Sequence, residues 1–289
     1  MAKDQKLELP ERFTSEISIP PCPTVLLAVI EEIRKPTLSF KKLSAMISQD
    51  PGLSGAMIGA ANSSYFGLSS KVQTLQHAMA VLGLDVVRDI MMDLVLRNTF
   101  SQNDGISMGR FWERSNYFAK SCSGLAAKLT NLPREEAYSF GLFHDAGIPL
   151  MMKKFPGYKD TLKIANESAD RPFLEIERER HGVTHAAIGH DLARNWALSD
   201  SVCEAILHHH DIALPGYIEG NNAPGSLNMV AVGVLAEHLT NTFLRRPIEA
   251  EWQQALPAAL QHFELSAPQF EQLSASVCDD LCRQRNEEG

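Results

Sequence analysis

The chain has 289 residues, enough for a sizeable core and for more than one compact unit. Hydrophobic residues make up 44% and charged residues 21%, and 35 acidic against 27 basic side chains leave a net charge of -8. No basic block stands out, which argues against a phosphate-neutralising nucleic-acid surface or binding to an anionic membrane.

The opening "MAKDQKLELPERF" lacks an apolar core of the kind a signal peptide has. Apolar runs such as "LNMVAVGVLA" (227–236) are too short to span a bilayer. Five scattered cysteines with no CxxC pair fit a reducing compartment, so a cytoplasmic location is expected.

Helical periodicity dominates. "TVLLAVIEEIRK" (24–35) spaces Val25, Leu26, Val29, Ile30 and Ile33 along one helical face. "SFKKLSAMISQDP" (39–51) opens on Ser39 and stops before Pro51. "PGLSGAMIGAANSSYFG" (51–67) starts on Pro51 and closes on Gly67. "TLQHAMAVLG" (74–83) closes on Gly83, and 85–100 follows with Asp85 as its cap. The polar "SQNDGISMG" (101–109) reads as a boundary.

Further helical segments follow at 110–130, 133–155, 156–168, 172–182, 184–198 and 199–211. Pro133 suits the first helical position, with Glu135 and Glu136 in the first turn. "EIERERHG" reads as a solvated face, and the Met91-Met92 and Met151-Met152 pairs read as core filler. Asn62-Ser63-Ser64 reads as a helix end or turn. The segment 214–226 is a loop, 227–243 a buried helix, and 247–289 two helices, the second capped by Ser266 with Gln269 three residues on. The expected fold is all-α. Three segments are expected: an N-terminal helical subdomain (1–103), a helical core (104–246) and a C-terminal extension (247–289).

Seven of the ten histidines fall between residues 144 and 210. His144 adjoins Asp145 inside the apolar run "GLFHDAGIPLMM", where burial is costly unless both groups are satisfied. On a helix from Thr184, His185 shares a face with Ile188, Leu192 and Trp196, whereas His190 points outward. On a helix from Ser199, His209 shares a face with Val202, Ala205 and Ile206; His208 and His210 fall on its flanks. His181 has no assignable face. Three helices thus aim an imidazole inward, one beside a carboxylate. Such a set can build an N/O site for Fe, Mn or Mg that hydrolyses phosphoesters. Alternatively, each histidine is a core residue bonded to backbone.

Several pieces in order resemble one family. They are "IPPCPTVLLAVIEEI", "LSAMISQDPGLSGAMIGAANSSYFG", "VQTLQHAMAVLGLDVVRDI", "GLFHDAGIPLM" and "THAAIGHDLARNWALSDSVCEAILHHH". Together they resemble the HD superfamily, and more narrowly its HDOD (HD-related output domain) family. The resemblance implies a multi-helix HD-like bundle with an N-terminal α-helical subdomain.

It also implies a metal-ligand set carried by His144, Asp145, His185, His209 and His210. Glu237 in "VLAEHL" stands nearest the last ligand, an Asp in the catalytic relatives. Where those phosphohydrolases, among them the cyclic-di-GMP-cleaving HD-GYP proteins, place a first histidine, this chain has Arg114, which offers donors only. The Gly-Tyr-Pro motif and the Lys after the dyad are absent. Arg114 would repel a metal, or pair with Asp145 and replace its charge.

The implied function is a bacterial signalling or regulatory module without catalysis. It would bind a protein partner or small effector in the groove between the N-terminal subdomain and the HD-like unit. His144-Asp145 would then be structural or vestigial. The alternative is a metal-dependent phosphohydrolase acting on a nucleotide or cyclic dinucleotide. Oligomeric state is left open.

Overall fold

The computed structural model describes residues 17–33, 35, 37–62, 71–100, 108–211 and 225–288, with side chains to 283. The described residues form an all-helical fold without strands. The first group comprises α1 (Thr24–Ile33), α2 (Phe40–Ile47), α3 (Pro51–Ala61), α4 (Leu75–Leu82) and α5 (Leu84–Phe100). Then come α6 (Gly109–Leu129), α7 (Arg134–Phe143), α8 (Gly147–Lys154), α9 (Tyr158–Glu167), α10 (Phe173–His181), α11 (His185–Asn195) and α12 (Asp200–Leu207). The last three are α13 (Ser226–Phe243), α14 (Ala250–His262) and α15 (Ala267–Glu288).

Side-chain caps set several helix starts. Asp50 accepts from the Gly52 and Leu53 amides at 2.8 and 3.1 Å and caps α3, with Pro51 preset for the first turn. Thr184 caps α11 through the Ala187 amide at 3.2 Å. Gly83, at φ +78°, makes the break between α4 and α5. The Gln269 side chain accepts from the Ser266 amide at 2.8 Å, as the capping pattern implies.

The long helix α6 packs along α7 and α13, and α13 in turn packs on α12 and α14. α5 connects the first helices to the centre through α7. Nearly every side chain of α13 is buried, which explains its all-round apolar sequence. One large core includes Leu26, Met57, Met91, Phe118, Phe140, Leu192 and Val234. Met91, Met92 and Met151 are core residues.

Several local expectations shift. Asp85 lies in the first turn of α5, not at its cap, because the helix begins at Leu84. Pro133 precedes α7 as its cap residue. The stretch 133–155 is two helices, separated by a turn at His144, Asp145 and Ala146. α12 ends at Leu207, so the histidine run forms a turn. His190 is half-buried against Asp191, not solvated. α3 ends at Ala61, and Asn62 holds both the N–H and C=O of Val72 at 2.7 Å. Residues 63–67, 101–107 and 214–224, read as the end of a helix, a boundary and a loop, lie outside the described residues.

Candidate metal centre

Asp145 occupies the turn between α7 and α8, where helical bonding breaks and a carboxylate can face inward. The turn is pinned by a close crossing of α8 over α11. A Cβ on Gly147 would stand 2.0 Å from the His185 carbonyl oxygen and 2.9 Å from the Gly189 amide. Only glycine permits that approach. It brings Asp145 and His185 together although they are far apart in sequence.

His144, His185 and His209 are buried, and His210 nearly so. Each holds an acceptor on its Nδ1 side. His144 Nδ1 meets the Gly141 carbonyl at 2.8 Å, and His209 Nδ1 meets the Ile206 carbonyl at 2.7 Å. A carbonyl only accepts, so in both rings Nδ1 carries a hydrogen and Nε2 is the atom turned toward the site. His185 Nδ1 meets Glu177 at 2.8 Å, and His210 Nδ1 meets Glu251 at 3.0 Å.

The Nε2 atoms converge. His185 Nε2 lies 3.3 Å from His209 Nε2 and 3.2 Å from His210 Nε2. Asp145 Oδ1 is 3.4 Å from His185 Nε2 and 3.6 Å from His209 Nε2. Donor atoms of Asp145, His185, His209 and His210 all lie within 4.8 Å of one another. Two cis ligands about 2.1 Å from one ion stand roughly 3.0 Å apart, close to these separations.

His144 lies on a different side of the carboxylate. Its Nε2 is 3.0 Å from Asp145 Oδ2, off the line of a hydrogen bond, and is buried with no hydrogen-bond partner. Arg114 also reaches this side. Its Nη2 donates to both Glu237 oxygens at 2.5 and 2.7 Å, and Nη1 donates to Asp145 Oδ2 at 3.3 Å. The guanidinium therefore bridges Glu237 and Asp145 next to His144. The five histidine and aspartate positions divide. His144 shares its side with Arg114 and Glu237, while Asp145 Oδ1, His185, His209 and His210 form a four-donor cluster. His210, expected on a helix flank, enters the cluster because the helix has already ended.

The charges are coupled. Burial alone would raise Asp145, but the neighbouring imidazoles, His144 first, hold it well below the usual carboxylate range. Burial works against a charged His185, yet Glu177 and Asp145 raise it to about 10. Burial and the neighbouring imidazoles push His209 and His210 down to about 3. One proton, on His185, thus serves the cluster in the metal-free protein. It separates nitrogens whose lone pairs would otherwise face each other.

Sequence reasoning missed Glu177. The segment around it was expected to be solvated, but Glu177 is fully buried on α10. It accepts from the Tyr158 hydroxyl, from the His185 amide at 2.9 Å and from His185 Nδ1. Burial would raise its carboxyl, and His185 overcomes this to lower it. The signal available was the apolar Phe173 and Ile176 of the same helix, which place one face inward. His181 bonds Thr161 Oγ1 at 2.8 Å, away from the cluster.

The all-helical fold, with a His-Asp turn set against histidines from two further segments, defines an HD-related helical protein. The chain belongs to the HDOD domain family, whose family model matches residues 19–212. It is 23% identical over 256 residues to an uncharacterised protein of Treponema pallidum (strain Nichols). That match covers 87% of this chain and 47% of the relative, so the chain spans about half the relative's length.

Among solved structures, an HDOD domain protein of unknown function from Geobacter sulfurreducens aligns with a TM-score of 0.71 at 19% identity. The alignment covers 96% of this chain and 95% of that one. A provisionally named phosphohydrolase from Shewanella amazonensis aligns at 0.72 with 20% identity over 96% and 95%. A provisionally named signal transduction protein from Marinobacter aquaeolei aligns at 0.67 with 22% identity over 94% of this chain and 61% of that one. These similarities establish the fold. No helix among the described residues is long and apolar enough to cross a membrane.

Proposed function

We propose that this chain is a cytoplasmic regulatory HDOD module that binds a signalling protein or a small effector without turning it over, and that its centre holds one divalent metal ion. The position of Arg114 carries this reading. It supplies a fixed cation between Glu237 and Asp145, on the side where His144 would otherwise offer its free Nε2 to an ion. A guanidinium cannot coordinate a metal or accept a proton.

The four-donor cluster supports metal binding. Its imidazole-rich composition favours Zn, Fe or Ni over Mg, which prefers oxygen ligands. Asp145, His185, His209 and His210 would hold the ion, and Glu177 and Glu251 would orient two of the rings. When bound, the ion supplies a Lewis-acid centre. The effector site we assign to the cleft among α1, α5, α7 and α12, walled by Ile30, Ile33, Met92 and Val202 and rimmed by Arg88 and Glu135. It lies between the N-terminal helices and the core, and its apolar walls are bordered by four charged groups, Asp85, Arg88, Glu135 and Glu136, which can orient a small polar ligand.

The intact cluster also supports a second reading, a phosphohydrolase using a single ion. Elemental analysis of protein purified without chelator, with assays on a panel of phosphoesters including cyclic dinucleotides, separates the two. Metal without turnover is expected. Turnover that disappears in His185→Ala would overturn the non-catalytic reading.

A further inference from the structure

The two carboxylates that orient the cluster come from different parts of the chain. Glu177 on α10 lies inside the stretch matched by the family, and Glu251 on α14 lies beyond it. Glu251 Oε1 is 3.0 Å from His210 Nδ1, which aims His210 Nε2 at His185. The next residue, Trp252, is buried and packs its ring against the same imidazole, centroids 5.1 Å apart and 34° between planes. Phe173 contacts that ring as well, at 5.3 Å and 32°. Trp252 is itself fixed, because its carbonyl meets His238 Nε2 at 2.8 Å. One cluster imidazole is therefore held by two consecutive residues of a single C-terminal helix.

We propose that α14 is a working part of the centre: Glu251 positions His210 for a metal ion, and loading of the site is passed to α14 through Glu251 and Trp252. The inference rests on the metal-binding reading above. A carboxylate on the far nitrogen of a ligating imidazole fixes its tautomer and strengthens its donor atom. An ion that draws His210 into one orientation also restrains the helix that holds that ring. The C-terminal helices then report occupancy to whatever docks beside them.

The test uses the full-length chain and Zn²⁺ or Ni²⁺ as probe. Affinity is measured by titration calorimetry for wild type, Glu251→Ala and Glu251→Gln, and amide exchange is followed across 250–262. Glu251→Ala is expected to bind about 10- to 100-fold more weakly. Glu251→Gln should recover most of that loss, because an amide oxygen still accepts from His210 Nδ1–H. Exchange across 250–262 should slow on loading in wild type and in Trp252→Phe less so. Affinity of Glu251→Ala within twofold of a metal-binding wild type would overturn this inference and leave the metal site standing. So would unchanged exchange in wild type, which decides the matter alone if Glu251→Ala does not fold. A wild type that binds neither ion would overturn the metal site and this inference together.

Discussion

Arg114 and Glu237, 123 residues apart in sequence, meet through one guanidinium nitrogen that lies 2.5 and 2.7 Å from the two carboxylate oxygens. Glu237 is 1% exposed, so its charge is tolerable only with this partner and the Asn241 amide at 3.2 Å. Arg114→Ala strips the cation and leaves a buried carboxylate. Urea titration should show a loss of about 3–5 kcal/mol. Arg114→Met with Glu237→Gln should lose less, because no uncompensated charge remains. An Arg114→Ala variant as stable as wild type would contradict this account.

Gly147→Ala tests the crossing that brings the His-Asp turn to His185. Its methyl would meet the His185 carbonyl at 2.0 Å, and a backbone atom cannot rotate away. The helices must separate, at a cost of about 1–3 kcal/mol or more. Gly55, whose Cβ would meet nothing within 4 Å, is the control, and Gly55→Ala should be neutral or stabilising. Thermal melts of both variants give the comparison.

Stability of the metal-free protein should fall as pH rises from 6.5 to 9. His209 and His210 have pKa values of about 3 in the fold, below the unfolded 6.5. As pH falls below 6.5, the unfolded chain takes up protons that these rings refuse, and stability is lost down to about pH 3. His185, raised to about 10, behaves oppositely. Its contribution is full below pH 6.5 and disappears as pH rises to about 10. Each group changes stability by roughly 1.4 kcal/mol per pH unit within its window. Glu251, raised to about 7 by burial, and Asp89, raised to about 6, work against the His209 and His210 loss between pH 5 and 6.5. Chelator-treated protein melted at pH 5, 6.5 and 9 should therefore differ little between the first two values and be clearly less stable at pH 9. Equal stability at pH 6.5 and 9 would show that the raised His185 does not govern the fold.

Loading the cluster should release a proton. His185 is protonated in the metal-free protein at neutral pH, and a ligating imidazole must give that proton up. Calorimetry at pH 7.5 in buffers of different ionisation enthalpy should show about one proton released per ion bound. Apparent affinity should rise about tenfold per pH unit between pH 7 and 9. Binding without proton release would mean that the His185 proton lies elsewhere.

Helical content and the histidine-bearing segments were legible because period-3.6 apolar spacing, caps and breakers are local signals. Pro51 at the start of α3, Thr184 at the start of α11 and the Ser266–Gln269 pair before α15 are read directly from sequence. The crossing at Gly147 was not, since it depends on what another helix presents there. Glu177 was hidden for a related reason: a run of alternating charges looks solvated, and only the tertiary position of Phe173 and Ile176 shows which carboxylate turns inward. His210 was misplaced on a flank because one residue of helix-end position changes a side chain's direction by about 100°. The pairing of Arg114 with Asp145 was anticipated as an alternative. The stronger contact with Glu237, which the resemblance offered only as a stand-in for the last metal ligand, was not anticipated.

The charged centre draws on positions from 114 to 251, supplied by α6, the α7–α8 turn, α10, α11, the turn after α12, α13 and α14. During synthesis the His-Asp turn therefore exists well before Glu237 or Glu251 has been made. Until α13 docks, Arg114 has Asp145 but not its principal counter-ion, and His210 lacks its orienting carboxylate. Long-range contacts of this kind form late and slowly. The nascent chain should thus acquire its N-terminal helical packing first and its ionic centre last, with arrested intermediates exposing the α6–α7 surface that α13 will cover.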